Sequence, residues 1–394
     1  MKIAIGQFGG PTTVFNASLY GALSVSTSPK NGATMQSFGL VGGVAGLLEG
    51  QLAPISSAHP WLLDTPGAAL GSGRFKGFAE VAEIAVKQLQ KQGIDGFLAM
   101  GGNGTMALAK AVEDAAKAMG APLQVMGVPK TIDNDLVQID HSPGYPSAAR
   151  FVIKAVRDLT IDLEAMKGFE QVRVVEVMGR HGGWLAAAAA LVPHLAQNPS
   201  QRLAPFICLP EQPLCVPELL EQIRQRVAGT GSALVVISEG VQDDTGHAVL
   251  QSAGTGSSAD TILGGIGAQV AERIRQELGY RVRYENLGLL QRCWAESQST
   301  LDREEAVALG RAGAAALLSG QSGKMVGYVR QGADTQPYAT ELIHVPLEAV
   351  AGKVRILSEA EQQLTDEFLH WLIPLVDLPS LEDHPRLPLT VLKS

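Results

Sequence analysis

Short apolar runs rich in β-branched residues or methionine recur along the chain, and each breaks off into glycine, proline or polar residues. Residues 2–5 run into 6–11, 96–100 into 101–105, 123–128 into 129–135, 172–177 into 178–183, and 233–237 into 238–240. A short apolar run with turn residues behind it predicts a buried strand followed by a loop. Between these runs, helical patterns cover 80–92, 106–119, 147–165, 216–228 and 266–278. Strand and helix in alternation predict an α/β protein with mainly parallel sheets and helices on both faces. The strand at 172–177 follows a long helix, so a second sheet is expected to begin near residue 147. Residues 242–260 are polar and rich in glycine and serine, and are expected to form a surface loop. There is no internal repeat and no low-complexity tract.

Composition agrees with this picture. The 394 residues leave room for two domains, 46% of them are apolar, and 44 are glycine. The net charge of −8 and the lack of a long basic run argue against a nucleic-acid partner. An acidic protein can still bind anions by focusing positive charge locally. The three cysteines, Cys208, Cys215 and Cys293, are odd in number and spaced like no metal site. They are expected to be buried thiols in a reducing compartment. The opening MKIAIGQFGG has too short an apolar stretch for a signal peptide and reads as a first strand. No run reaches the roughly 20 apolar residues that a membrane span needs, so the cytoplasm is the expected location.

In open parallel sheets, ligands bind beyond the carboxyl ends of the strands. The distinctive residues gather there. Residues 101–105 (GGNGT) join a strand to a helix, and a helix start with free N–H groups favours a phosphate. Thr105 is expected to cap that helix or bond a phosphate oxygen. An ordinary glycine-rich turn explains this loop alone equally well. The phosphate loop GxxxxGK[ST] is absent, and no GxGxxG follows the first strand, which argues against a dinucleotide-binding dehydrogenase. Residues 129–135 (PKTIDND) say more. Asp133 and Asp135 stand two apart beside Lys130 and Thr131. Phosphoryl transfer to a hydroxyl needs a carboxylate to take the proton, oxygen ligands for Mg²⁺, and a cation near the moving group. By itself this stretch also reads as a solvated turn. Arg74 in LGSGRFKG, Arg180 in MGRHGGW, Arg283 and Arg292 in RYENLGLLQR, and Glu239 complete the candidates. Singly, a structural salt bridge or a surface charge explains each as well as a functional role does.

Together the ordered motifs GQFGGPTTVFNA, LGSGRF, GGNGT, PKTIDND, SPGYPSAA, VVEVMGR, ISEG and LGLLQR resemble the type A phosphofructokinases. That family phosphorylates fructose 6-phosphate at its 1-hydroxyl. The resemblance runs from residue 2 to about 330, and is greatest to the short bacterial pyrophosphate-dependent group. It implies two doubly wound α/β domains: 1–146 with about 286–345 for the donor, and 147–285 with about 346–394 for the acceptor. It implies Asp133 as general base, with Asp135 and Thr131 organising metal and acceptor, and Arg74 and Lys130 on the transferring phosphoryl. Gly10, Gly102, Asn103, Gly104 and Thr105 would hold the donor phosphates. Met178, Gly179, Arg180, Glu239 and Arg292 would hold the sugar phosphate, and Arg283 would reach a neighbouring subunit's acceptor. Mg²⁺ would rest on Asn103 and Asp135. The partners implied are fructose 6-phosphate with pyrophosphate or ATP, and a second copy or more in a homodimer or homotetramer.

Several residues depart from the family's pattern. Asn103 replaces the usual Asp. Gln171 stands where many members carry Arg, Leu289 where many carry His, and Cys293 and Trp294 where two glycines usually follow QR. The acceptor pocket is therefore expected to be altered, with a relative such as sedoheptulose 7-phosphate as another acceptor. For the donor, Lys130 points to pyrophosphate, whereas Gly104 stands where pyrophosphate users usually carry Asp and leaves room for ATP. Leu108 narrows an adenine site. The balance favours pyrophosphate, with an ATP-dependent 6-phosphofructokinase as the alternative. The alternative of another class is a non-catalytic sugar-phosphate-binding protein on the same fold. Residues after about 350 carry no readable motif and are expected to be helices packed on the second domain.

Overall fold

The structure, a computed structural model, describes residues 1–25, 35–55, 58–73, 78–196, 202–242, 265–332, 337–378, 381 and 383–385. The chain runs β1 (Lys2–Gln7), α1 (Phe15–Ser24), β2 (Gln36–Leu40), α2 (Val44–Glu49), β3 (Leu52–Ile55), α3 (Phe78–Lys91), β4 (Gly96–Gly101), α4 (Asn103–Ala118) and β5 (Gln124–Pro129). It continues through α5 (Tyr145–Ala165), β6 (Val172–Val177), α6 (Trp184–Ala188), β7 (Phe206–Cys208), α7 (Val216–Thr230), β8 (Ala233–Ser238), α8 (Ile266–Leu278) and β9 (Val282–Asn286). It ends with α9 (Leu290–Cys293), α10 (Thr300–Leu318), β10 (Lys324–Arg330), β11 (Thr340–Pro346), α11 (Leu347–Val350) and α12 (Asp366–Leu372).

Among these residues the strands form two sheets, ordered β11-β10-β5-β4-β1-β2-β3 and β7-β8-β6-β9. The apolar runs occupy the interior strands, and every interior pairing among them is parallel. Successive side chains point to opposite faces, which sorts the cores. In β4, Phe97 and Ala99 pack with α3 and α4, while Leu98 and Met100 pack with α1 and α10. In β6, Val175 joins Trp184 and α5, while Val174 joins α7 and α8. Each sheet is thus covered on both faces.

The five strands and five helices expected from the pattern lie within a few residues of their observed bounds. The antiparallel edges were not anticipated. β3 pairs antiparallel with β2, and β11 with β10. Both are edge strands with exposed or half-buried positions, so no continuous apolar run marks them. The alanine-rich segment after Gly183 is the five-residue α6 followed by a 3₁₀ helix, Ala189–Leu195, with Pro193 inside it. Proline lacks the N–H that an α-helix would need there. Of the expected loop at 242–260, all but Gln242 lies outside the described residues. Of the thiols, Cys208 is buried as expected, whereas Cys293 is half-buried and Cys215 exposed.

Phe368, Leu369 and Leu372 of α12, with Leu375, Val376 and Leu381, enter the core around Trp184 and α5. Arg355 lies over the Trp184 ring, and its backbone N–H donates to the Asp135 carbonyl at 2.8 Å. The C-terminal segment therefore touches both the second sheet and the PKTIDND loop. No helix among the described residues is long and apolar enough to cross a membrane.

Candidate active site

Three loops leave the carboxyl ends of β1, β4 and β5, which lie side by side. They surround a cavity of about 560 Å³. Gly9 takes φ of 79°, a conformation glycine adopts without strain, and its N–H donates to the Gly73 carbonyl at 3.1 Å. The β4 loop turns directly into α4, with Gly102 at the cap. A Cβ on Gly101 would lie 2.1 Å from Thr105 Oγ1 and 2.8 Å from the Phe8 carbonyl oxygen, so only glycine lets the two loops meet. The cap differs from expectation. No side chain caps α4, and Thr105 is a buried residue within its first turn. Gly102, Asn103, Gly104 and Thr105 line the cavity, so the positive end of a 16-residue helix faces it.

The β5 loop supplies the charged groups. The Lys130 side chain is buried, and Nζ donates to the carbonyls of Phe8 at 3.2 Å and Gly10 at 2.5 Å while lying 4.2 Å from the centre of the Phe15 ring. It pins the β1 loop and puts a cation on the cavity wall. Thr131 is held by its N–H to the Pro143 carbonyl at 3.1 Å, and Thr131 Oγ1 accepts from the Asp133 N–H at 3.1 Å. Asn134 turns the chain at φ of 52°, and its Oδ1 accepts the Ser142 N–H at 3.0 Å. Asp133 and Asp135 thus reach the same cavity from a loop locked against 142–144.

Asn103 and Asp135 meet at its edge. Asn103 Nδ2 donates to the Asp135 carbonyl at 3.0 Å, while Asn103 Oδ1 and Asp135 Oδ1 are buried without a hydrogen-bond partner. Burial pushes the Asp135 carboxyl up, with Asn103, Thr131 and His181 pulling the other way. Two unsatisfied oxygens, one from a carboxylate and one from an amide, suit a hard divalent cation. Among the described residues no three His, Cys, Asp or Glu side chains cluster as a metal site. Such an ion would therefore take most of its ligands from phosphate and water.

The far wall comes from the second sheet. Met178 and Arg292 line the cavity. Gln291, buried behind them, accepts the Met178 N–H at 3.1 Å and donates to the Gly288 carbonyl at 3.0 Å, which ties α9 to the end of β6. Gly179, Arg180 and Glu239 are not among the residues that line this cavity. The Gly179 N–H donates to Glu239 Oε1 at 3.5 Å, and Gly240 abuts the Arg180 carbonyl. Arg283 lies elsewhere, on β9, with its Nε 3.0 Å from Glu170 Oε2. Arg74 falls outside the described residues. The cavity thus gathers Gly10, Gly102, Asn103, Gly104, Thr105, Lys130, Thr131, Asp133, Asp135, Met178 and Arg292.

Sequence reasoning missed Thr12 and Gln291. Thr12 lines the cavity, and its Oγ1 is buried without a partner. Its signal was the threonine pair in GGPTT, read only for its glycine. Leu108 and Val44 add an apolar side to the donor end.

A phosphofructokinase family model matches residues 2–317. The chain belongs to the phosphofructokinase family. It is 37% identical over 384 residues to a sulfofructose kinase of Alkalicoccus urumqiensis, covering 96% of each chain. It is 36% identical over 358 residues to the pyrophosphate--fructose 6-phosphate 1-phosphotransferase of Xanthomonas campestris, covering 89% of this chain and 84% of that one. The solved structure of a pyrophosphate-dependent phosphofructokinase from Marinobacter aquaeolei superposes with a TM-score of 0.82 at 28% identity, covering 95% of this chain and 91% of that one. The overall two-sheet fold is thus shared with a solved member of the family.

Proposed function

We propose that this chain is a Mg²⁺-dependent phosphotransferase that moves a phosphoryl group from pyrophosphate to the 1-hydroxyl of fructose 6-phosphate. The observation that carries this reading is the convergence of Asp133, Asp135, Lys130 and the start of α4 on one cavity. The donor lies against Gly10 and residues 102–105, where the helix end favours anions. Asp133 takes the proton from the acceptor hydroxyl as the new P–O bond forms, and the leaving phosphate departs toward α4. Lys130, with Arg74, stabilises charge on the moving group. Thr131 fixes the backbone of Asp133 and so its aim. Asn103 and Asp135 would hold Mg²⁺, which would supply positive charge to offset the negative charge of the phosphates. The sugar lies against Met178 and Arg292, with Gly179, Arg180 and Glu239 beside them holding the sugar phosphate. Arg283, on an edge strand away from the cavity, serves the acceptor site of a neighbouring copy in a homodimer or homotetramer.

A specific observation favours a second reading of the acceptor, a ketose carrying a 6-sulfonate. The relative with 37% identity is a sulfofructose kinase. Gln171 replaces the arginine many family members place on the acceptor phosphate, and its Oε1 is occupied by the Arg281 N–H at 2.9 Å. One cation fewer suits a monoanionic sulfonate better than a dianionic phosphate. Initial rates measured with two donors, pyrophosphate and ATP, against two acceptors, fructose 6-phosphate and 6-deoxy-6-sulfofructose, separate the readings. The highest kcat/KM is expected with pyrophosphate and fructose 6-phosphate. A higher value with the sulfonate transfers the assignment to the second reading, and a higher value with ATP reverses the donor.

A further inference from the structure

Helix α5 carries Arg150, Lys154 and Arg157 at a spacing that sets them along one face. None of the three lines the catalytic cavity. Arg150 is only 7% exposed, and its Nε and Nη1 are buried with no hydrogen-bond partner. A guanidinium does not give up its proton within any ordinary pH range, so the charge stays. Buried donors of a charged group are nearly always matched, and an unmatched set calls for an explanation.

Among the described residues, none supplies the match. Arg157 adds like charge to Arg150, and Asp377 attracts it, but burial outweighs that attraction and draws its pKa down. Lys154 is likewise lowered, first by burial and then by Arg150 and Arg157, against the pull of Asp158 and Glu296. Among the described residues its Nζ reaches only the Glu296 carbonyl, at 3.4 Å. The Arg157 Nε is committed to Asp158 at 2.8 Å, and that carboxylate, itself more than half exposed, also faces His384 at 3.5 Å. Three cations therefore share a face on which, among the described residues, Arg150 Nε and Nη1 stay unmatched, in a protein whose overall charge is −8.

We propose that this face of α5, where it meets residues 295–297 and Asp377, is a second anion site that takes a dianionic oxyanion of the phosphate class. The anion accepts hydrogen bonds from Arg150 Nε and Nη1 and gains the attraction of Lys154 and Arg157. Two additional cations favour a dianion over chloride or acetate. Inorganic phosphate and the phosphate group of a small ester share this chemistry.

Equilibrium dialysis with inorganic phosphate tests the site on the whole protein. The phosphate bound in the catalytic cavity is common to wild type and variants, so the difference between them reports the second site. Wild type is expected to bind one phosphate more per chain than Arg150→Met, with initial rates at low phosphate alike in the two. Lys154→Met, further out on the same face, is expected to keep the site with affinity lowered about tenfold. It carries the test if Arg150→Met fails to fold. Displacement of the extra phosphate by glycerol 3-phosphate identifies an ester as the ligand, and no displacement identifies free phosphate. Equal stoichiometry and affinity in wild type and both variants overturn the proposal.

Discussion

The Lys130 side chain has a dual position that its sequence context hinted at only by charge. Its amine bonds two carbonyls of the β1 loop and also faces the cavity. Lys130→Met therefore removes a donor-binding cation and two loop contacts together, and kcat/KM for pyrophosphate is expected to fall by about 100-fold or more. Thr12 separates binding from folding more cleanly. Its hydroxyl has no protein partner, so Thr12→Val loses no internal hydrogen bond. The expected outcome is a donor KM raised about tenfold with an unchanged melting temperature. A lower melting temperature with unchanged KM contradicts a binding role. Asp133 and Asp135 stood out only through the ordered motifs around them, because PKTIDND alone reads equally as a solvated turn. Thr12 did not, since a threonine next to glycines reads as loop until the fold buries it. The exposed Cys215 was misread because nothing in an isolated cysteine signals its burial.

At the scale of elements, helices α1 and α10 touch through glycine. A Cβ on Gly310 would sit 1.9 Å from the Ser18 carbonyl oxygen, and one on Gly21 the same distance from that of Val307. Gly310→Ala must push the helices apart, and a loss of about 1–3 kcal/mol or more is expected in denaturant unfolding. A second device holds the segment that backs the catalytic loop. His141, fully buried, donates from Nδ1 to Asp140 at 2.9 Å and from Nε2 to Glu305 at 2.6 Å. Burial alone would lower its pKa, but Glu305 and Asp140 outweigh burial and raise it to about 9. Arg330 and Trp371 complete the shell of Asp140, Tyr338 that of Glu305, and Asp302 lies within electrostatic reach. The folded state keeps a proton that the unfolded chain releases near pH 6.5. The stabilisation is therefore whole below pH 6.5 and lost as pH rises toward 9, by at most about 1.4 kcal/mol per unit. His141→Gln should lower stability at pH 6 and flatten its pH dependence between 7 and 9, read from urea midpoints. An unchanged slope contradicts the charged imidazole. The core strands and long helices were legible because their apolar runs and helical periods are continuous. The edge strands β3 and β11 were not, because they are polar, short or half-exposed. The His141 network was not because its members are up to 231 residues apart in sequence.

For the molecule as a whole, the cavity joins two sheets, and the C-terminal segment braces both. Met178 and Arg292 bring the second sheet to the loops of the first. Arg355 and α12 bind the Asp135 backbone to the core around Trp184. Truncation before residue 351 strips Phe368, Leu369 and Leu372 from that core and is expected to give insoluble protein. The order of motifs along the chain was legible. Their convergence depends on which strands lie side by side, β5, β4 and β1, and the sequence order alone does not fix that adjacency. The account stands or falls on phosphoryl transfer with Asp133 as base. The most direct measurement is a ³¹P NMR time course with Mg²⁺, pyrophosphate and fructose 6-phosphate, run for wild type and Asp133→Asn. The account predicts a new 1-phosphomonoester signal growing with inorganic phosphate for wild type, and for the variant a rate lower by about 1,000-fold or more with substrate affinity retained. A variant as fast as wild type, or a wild type that transfers nothing from pyrophosphate or ATP to either ketose, contradicts it.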